Sequence, residues 1–280
     1  MSTSPAAAWP SVPAMAGKKS YAQTPMGQVH VRDLGAGPPV LLLHQTPWFS
    51  VQYMNVQPRL SAAGVRAIAI DTPGYGLSDL PAQPPSIEDY ADNLLSVLDH
   101  VGLPSVVVAG HHTGALIAAA FAHRHPKRVR GVILHGIPFY TAEERASRLA
   151  QPHWPQDPKR DGSHLSDRFV QIRDRIATSG ATLEGIHWSV MSFFIAGPLE
   201  WYGHHAAFTY DVSPAIRGIA APTMVISNTE DMLHHMAPRV TSARPDFNYV
   251  QMAGNAHALT DQPDAWVAAT IPFIRRVGSG

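Results

Sequence analysis

The sequence predicts an α/β domain, a mostly parallel sheet flanked by helices, with a helical piece inserted late in the sheet. Three observations predict it. Short apolar runs recur along the chain, amphipathic or Ala-rich stretches separate them, and one long aromatic segment interrupts the alternation. Hydrophobic residues make up 45% of the 280 and charged residues 15%, enough for one large core carrying an inserted subdomain.

Taken in order, residues 1–17 are rich in Ala, Pro and Ser. Pro5, Pro10 and Pro13 interrupt any apolar run, so the segment reads as a flexible arm and not as a leader. Tyr21 to Leu34 reads as a hairpin turned at Met26-Gly27. Val40 to Leu43, Val65 to Ile70, Val106 to Ala109, Val129 to Leu134 and Thr223 to Ile226 are continuous apolar runs, as expected of strands covered on both faces. Phe247 to Met252 reads as a strand nearer an edge. Ser86-Ile87-Glu88-Asp89 resembles a capping box, with Asp in the usual place of Glu, opening a helix through Leu98. Gly114 to Arg124 is Ala-rich and nearly free of polar residues, as a helix packed on the sheet would be. Asp261 to Arg276 closes the domain. Between Pro138 and Pro214 the rhythm changes: Pro152, Pro155 and Pro158 mark an irregular excursion, Leu165 to Ala177 a helix, and Trp188 to Phe208 an aromatic run. The expected division is therefore a core of residues 18–138 and 211–280, with a helical cap over residues 139–210.

Composition excludes several classes. Lys plus Arg equals Asp plus Glu at 21 each, which leaves no electrostatic footprint for nucleic acid or an anionic membrane. No stretch has the length of a bilayer span. Zero cysteines removes disulfides, thiolate zinc sites and a cysteine nucleophile, and fits a reducing compartment, so the expected location is cytoplasmic.

Ligands of an open α/β sheet bind beyond the carboxyl ends of its strands. Those ends carry, in order, His44-Gln45-Thr46-Pro47-Trp48, then Asp71-Thr72-Pro73-Gly74-Tyr75-Gly76-Leu77-Ser78-Asp79, then Gly110-His111-His112-Thr113-Gly114. Asn228-Thr229-Glu230-Asp231 and Gly254-Asn255-Ala256-His257 follow. This ordered set resembles the α/β-hydrolase superfamily over Tyr21 to Arg276. The resemblance implies that Gly110-x-His112-x-Gly114 is the nucleophile elbow, with His112 where the family has Ser, Asp or Cys. It implies oxyanion donors in the backbone N–H groups of Thr46 and Thr113, an acid at Asp231 that orients a general base at His257, and a Gln45 in place of the family's glycine. Trp48 joins that loop as a substrate-side residue, and His111 as a packing or supporting one. Glu230 competes with Asp231 for the acid role, and the spacing from Asn228 favours Asp231. His44 reads as a structural residue bonding loop backbone, and Asp71 with Ser78 as stabilisers of the turn at Pro73-Gly74.

A His at the elbow leaves two uses open, proton handling jointly with His257 or covalent attack, and the first is preferred. The expected function is a cofactor-independent hydrolase of a small, largely apolar ester, lactone or amide. The alternatives are a lyase or cofactor-free oxygenase using the two histidines for proton transfer, or a non-catalytic ligand-binding or receptor protein. Sixteen histidines raise the question of a metal, but the adjacent pairs His111-His112, His204-His205 and His234-His235 point different ways. Only His187 or His204 meeting His112 and His257 would suggest a ligand set, so no metal is expected. The expected partner is a small molecule, and the sequence leaves the oligomeric state open.

Overall fold

The computed structural model describes residues 16–151, 157–176 and 181–278. The arm expected over residues 1–17 lies outside these, apart from its last two residues, as do Pro152, Pro155 and Ala177.

The chain opens with a hairpin of β1 (Lys18–Thr24) and β2 (Gly27–Leu34), then β3 (Pro39–Leu43), α1 (Val56–Ala62), β4 (Arg66–Ile70) and α2 (Ile87–His100). Next come β5 (Val106–His111), α3 (Thr113–Arg124) and β6 (Val129–His135). The insertion follows as α4 (Ala142–Leu149), α5 (Ser163–Ile176), α6 (Leu183–Ala196) and α7 (Tyr202–Thr209). After α8 (Ser213–Gly218), the chain ends in β7 (Thr223–Asn228), α9 (Ala237–Ala243), β8 (Asn248–Met252), α10 (Ala258–Asp261) and α11 (Pro263–Gly278).

Among the described residues the strands form one eight-stranded sheet in the order β1-β2-β4-β3-β5-β6-β7-β8. β1 and β2 are antiparallel additions, and every pairing from β4 through β8 is parallel. Every residue of β3, β5 and β7 is buried, as their continuous apolar runs require. Side chains alternate between two faces. Leu41, Leu43, Ile68, Val108, Leu134 and Val225 pack under α2, α3 and α8, while Val40, Leu42, Ala69, Val107, Ile133 and Ile226 pack under α1 and α11. Each fully buried Leu or Ile contributes roughly 2 kcal/mol. The capping box is present: Ser86 Oγ accepts from the Asp89 N–H at 3.0 Å, and the Asp89 carboxylate accepts from the Ser86 N–H at 2.9 Å. β8 lies at the sheet edge and is mostly solvent-facing.

The inserted helices are fastened over the carboxyl ends of the strands. Tyr75, in the loop after β4, donates its hydroxyl to the Glu200 carbonyl at 3.1 Å and accepts from the Gly203 N–H at 2.7 Å. Thr182, just before α6, donates N–H and hydroxyl to the Asp261 carboxylate at 3.0 and 2.7 Å. Trp188 and Ala196 of α6 pack with Trp48, Phe49, Val51 and Tyr75 of the core loops. Among the described residues no helix is long and apolar enough to cross a membrane.

Candidate active site

The turn from β5 into α3 places His112 at φ 48° and ψ −111°, the one non-glycine residue with positive φ among the described residues. Such a conformation costs of order 1–3 kcal/mol and persists only where the surroundings enforce it. The flanking glycines make the turn possible. A Cβ at Gly110 would collide with the Gly114 carbonyl, and one at Gly114 with the Leu43 carbonyl. The tight turn leaves the first N–H groups of α3, Thr113 included, without intrahelical acceptors.

His112 Nε2 lies 2.7 Å from Asp231 Oδ2, and Asp231 Oδ1 accepts from the Leu233 N–H at 2.9 Å. The Asp231 side chain is wholly shielded from solvent. Burial alone would raise its pKa, but the charge and hydrogen bond of His112 and the Leu233 N–H together hold it below the usual carboxylate range. An ionised carboxylate only accepts, so the His112 Nε2 carries the proton. The pair reaches across the end of β6, where Gly136 sits at φ 55°; a Cβ there would stand 2.7 Å from the His112 ring and 2.9 Å from Asp231 Oδ2.

Here the structure differs from the sequence reading. The Asp231 carboxylate, expected to orient His257, lies 2.7 Å from His112 Nε2. His257 caps α10, its N–H donates to Asn255 Oδ1 at 2.6 Å, and its ring meets Trp48 edge-on at 5.6 Å. Its Nδ1 edge faces Gly185 in α6, where a Cβ would come within 2.9 Å. Asp231 serves the elbow because β5 and β7 flank β6 and the missing Cβ of Gly136 opens the space between them. Of the two acids, Glu230 is exposed at the rim and Asp231 is the one in contact with His112.

A cavity of about 370 Å³ lies between the strand ends and the inserted helices. Gln45, Thr46, Trp48, His112, Thr113 and His257 all line it, so six of the predicted site residues meet there. Asp231 stands behind His112, and His111 lies in the core beneath. Ile172, Phe193 and Phe208 from the insertion supply an apolar wall.

His111 is fully buried and packs between His112 and His135, with ring centroids 4.2 and 4.5 Å away and planes tilted by 32° and 45°. Burial, then the neighbouring imidazoles, pushes its pKa far below the usual value, so it is neutral. His135, whose Nε2 meets Asn228 Oδ1 at 2.6 Å, is pushed down by burial to about 4. Gln52 fixes the His111 tautomer. Its Oε1 accepts from the Gln45 N–H and its Nε2 donates to His111 Nδ1, both at 2.9 Å. One buried amide thus braces the loop after β3 against the elbow. Sequence reasoning missed Gln52, which lies in no motif, and Gly136, whose role depends on two side chains from other strands. His44 bonds loop backbone as expected: Nε2 accepts from the Thr72 N–H and Nδ1 donates to the Gln45 carbonyl, each at 2.9 Å. Asp71 is likewise structural, accepting from the Ser50 and Leu77 N–H groups and pairing with His30 at 2.9 Å.

His111, His112 and Asp231 each bring a possible ligand atom within 4.8 Å of the others. Metal ligation needs ring lone pairs that converge in the ring planes. The two ring centroids stand 4.2 Å apart with planes tilted by 32°, and His111 Nδ1 is already taken by Gln52. The cluster fits a proton-sharing dyad on a packed ring better than a chelate.

Comparison with known proteins agrees with this architecture. A family model described as alpha/beta hydrolase fold matches residues 38–176. Epoxide hydrolase 3 of Siraitia grosvenorii is 37% identical over 116 residues, 40% of this chain and 36% of its own length. Bifunctional epoxide hydrolase 2 of Mus musculus is 39% identical over 129 residues, 44% of this chain and 22% of its own. The chain therefore matches about a third or less of these epoxide hydrolases. Haloalkane dehalogenase 2 of Mycobacterium tuberculosis is 27% identical over 267 residues, 88% of this chain and 91% of its own. Among solved structures, an E-2-(acetamidomethylene)succinate hydrolase superposes with TM-score 0.75 at 21% identity, covering 92% of this chain and 99% of that one. An enol-lactonase from Burkholderia xenovorans superposes with TM-score 0.74 at 22% identity, covering 91% and 99%. Its sheet order, its strained elbow and these matches give the chain the α/β-hydrolase fold.

Proposed function

We propose that this protein hydrolyses a small, largely apolar ester, lactone or amide, with His112 as the general base that activates water. The observation that carries this reading is the 2.7 Å contact between His112 Nε2 and buried Asp231 at the elbow. It fixes one ring nitrogen against the carboxylate and leaves the other to take a proton from water. In the proposed step water oxygen attacks the carbonyl carbon and Nδ1 takes the water proton. The Thr46 and Thr113 N–H groups stabilise the oxyanion. The C–O or C–N bond then breaks, and the leaving group regains a proton from the His112 imidazolium, with His257 as a second proton handler on the same cavity. Residues 139–210 act as a cap whose apolar wall sets substrate size. The names of the relatives, epoxide hydrolase and haloalkane dehalogenase, support hydrolysis of small molecules.

The test is turnover of 4-nitrophenyl butyrate and a panel of neutral lactones, with intact-protein mass sampled during reaction. Turnover above that of free imidazole, lost in His112→Ala, with His112 unmodified, is expected. A butyryl adduct on His112 would replace water activation with covalent attack. Two imidazoles on one cavity also suit a lyase that moves a proton between carbon and oxygen; absence of hydrolysis with saturable ligand binding would favour that reading or a receptor.

A further inference from the structure

We infer that the cavity binds a carboxylate, held by Arg148 of α4, so that the substrate is an apolar molecule with an anionic end. The inference deepens the hydrolase reading and rests on it for the word substrate. The binding site itself stands on separate observations. Arg148 lines the same cavity as His112 and His257. Two other charged side chains of α4 have partners, while Glu143 is exposed at its start. Glu144 pairs with Arg239, with one contact at 2.8 Å, and Arg145 stands 3.7 Å from Asp211. Among the described residues no carboxylate lies within ion-pair distance of Arg148, whose guanidinium instead lies over the Tyr140 ring at 5.9 Å. Part of its placement is explained by the helix, since a cation in the last turn of α4 complements the helix dipole. That does not explain why it faces a cavity walled by Ile172, Phe193 and Phe208.

A guanidinium presents a planar fork of donors matched to the two oxygens of a carboxylate, and the apolar wall lowers the local dielectric and strengthens the pairing. Glu230, the acidic side chain among the described lining residues, is exposed at the rim. Arg148 is the one arginine or lysine among the described lining residues, so the anionic end of the ligand belongs there. The ligand class is then a small monocarboxylate with an apolar body, such as a hemiester or an aryl-alkanoate.

The test uses binding, so that it does not depend on catalysis. Calorimetric titration of the full chain with 4-phenylbutyrate and its neutral isostere 4-phenylbutyramide separates the charge from the apolar body. The wild type should bind the acid about ten- to a hundredfold more tightly than the amide, the range of a charge-assisted hydrogen bond. Arg148→Gln should erase the preference while leaving amide binding unchanged, which also shows that the variant is folded. Arg148→Lys should keep part of it, and His112→Ala all of it. Equal affinity for acid and amide in the wild type, no binding of the acid, or an acid preference surviving in Arg148→Gln would each overturn the inference. Failure of the hydrolase reading would show instead as absent turnover of neutral esters with the acid preference intact.

Discussion

Replacing Asp231 with Asn preserves volume while removing one charge and reversing one hydrogen bond. The carboxylate is fully enclosed, 2.7 Å from His112 Nε2 and 2.9 Å from the Leu233 nitrogen. In the proposed step His112 takes a proton, and the new imidazolium would lie against that carboxylate. A hydrogen bond to a charged group is worth about 1.5–3 kcal/mol, or about ten- to 150-fold in rate. A second effect adds to it. The Leu233 N–H needs an acceptor, so the Asn oxygen stays there and the NH₂ turns toward His112. Nε2 must then accept, which moves the ring proton to Nδ1 and removes the lone pair the mechanism uses. In a Ser-His-Asp triad the corresponding wrong-tautomer change costs about 10⁴ in kcat. Asp231→Asn should therefore lose about 10²- to 10⁴-fold in kcat for a neutral ester, with KM changed little and the circular dichroism spectrum unaltered. A kcat within threefold of the wild type refutes the dyad.

Three further outcomes follow from the same geometry. Gly136→Ala puts a Cβ 2.7–2.9 Å from His112 and Asp231 at φ 55°, so it should lose activity by at least tenfold and about 1–3 kcal/mol of stability in urea titration. Gln52→Leu leaves the Gln45 N–H and His111 Nδ1 buried without their partner, costing about 2–4 kcal/mol; a variant as stable as the wild type would remove the brace from the argument. His135 titrates near 6.5 when unfolded and about 4 when folded, so between those values the unfolded chain binds the extra proton and stability falls as pH falls. Its share of that loss is about 3 kcal/mol in full, and His135→Gln should flatten the melting temperature against pH over that window while lowering it at pH 8.

The strands were legible because their burial is one-dimensional: a run such as Val106 to Ala109 is apolar throughout since both sheet faces are covered. The elbow was legible because a non-glycine residue can be forced into so sharp a turn only between glycines, and Gly110 and Gly114 stand where the backbone approaches itself. The brace at Gln52 was not legible, because a glutamine that spans two loops leaves no periodicity in either. Nor was the pairing of Asp231. Sequence order sets His112 after β5, Asp231 after β7 and His257 after β8, so the acid stands between two imidazoles at strand ends on the same side of the sheet. The choice between them is made by what fills the gaps. Toward His112 the gap is the end of β6, emptied by Gly136. On the other side Asn255 holds the His257 backbone, and the Nδ1 edge of that ring is turned to Gly185 of the inserted helices. One missing Cβ thus gives the elbow its own carboxylate. Under the proposed mechanism that contact suits a histidine at this position to act as a base, where a serine would stand beside a buried charge.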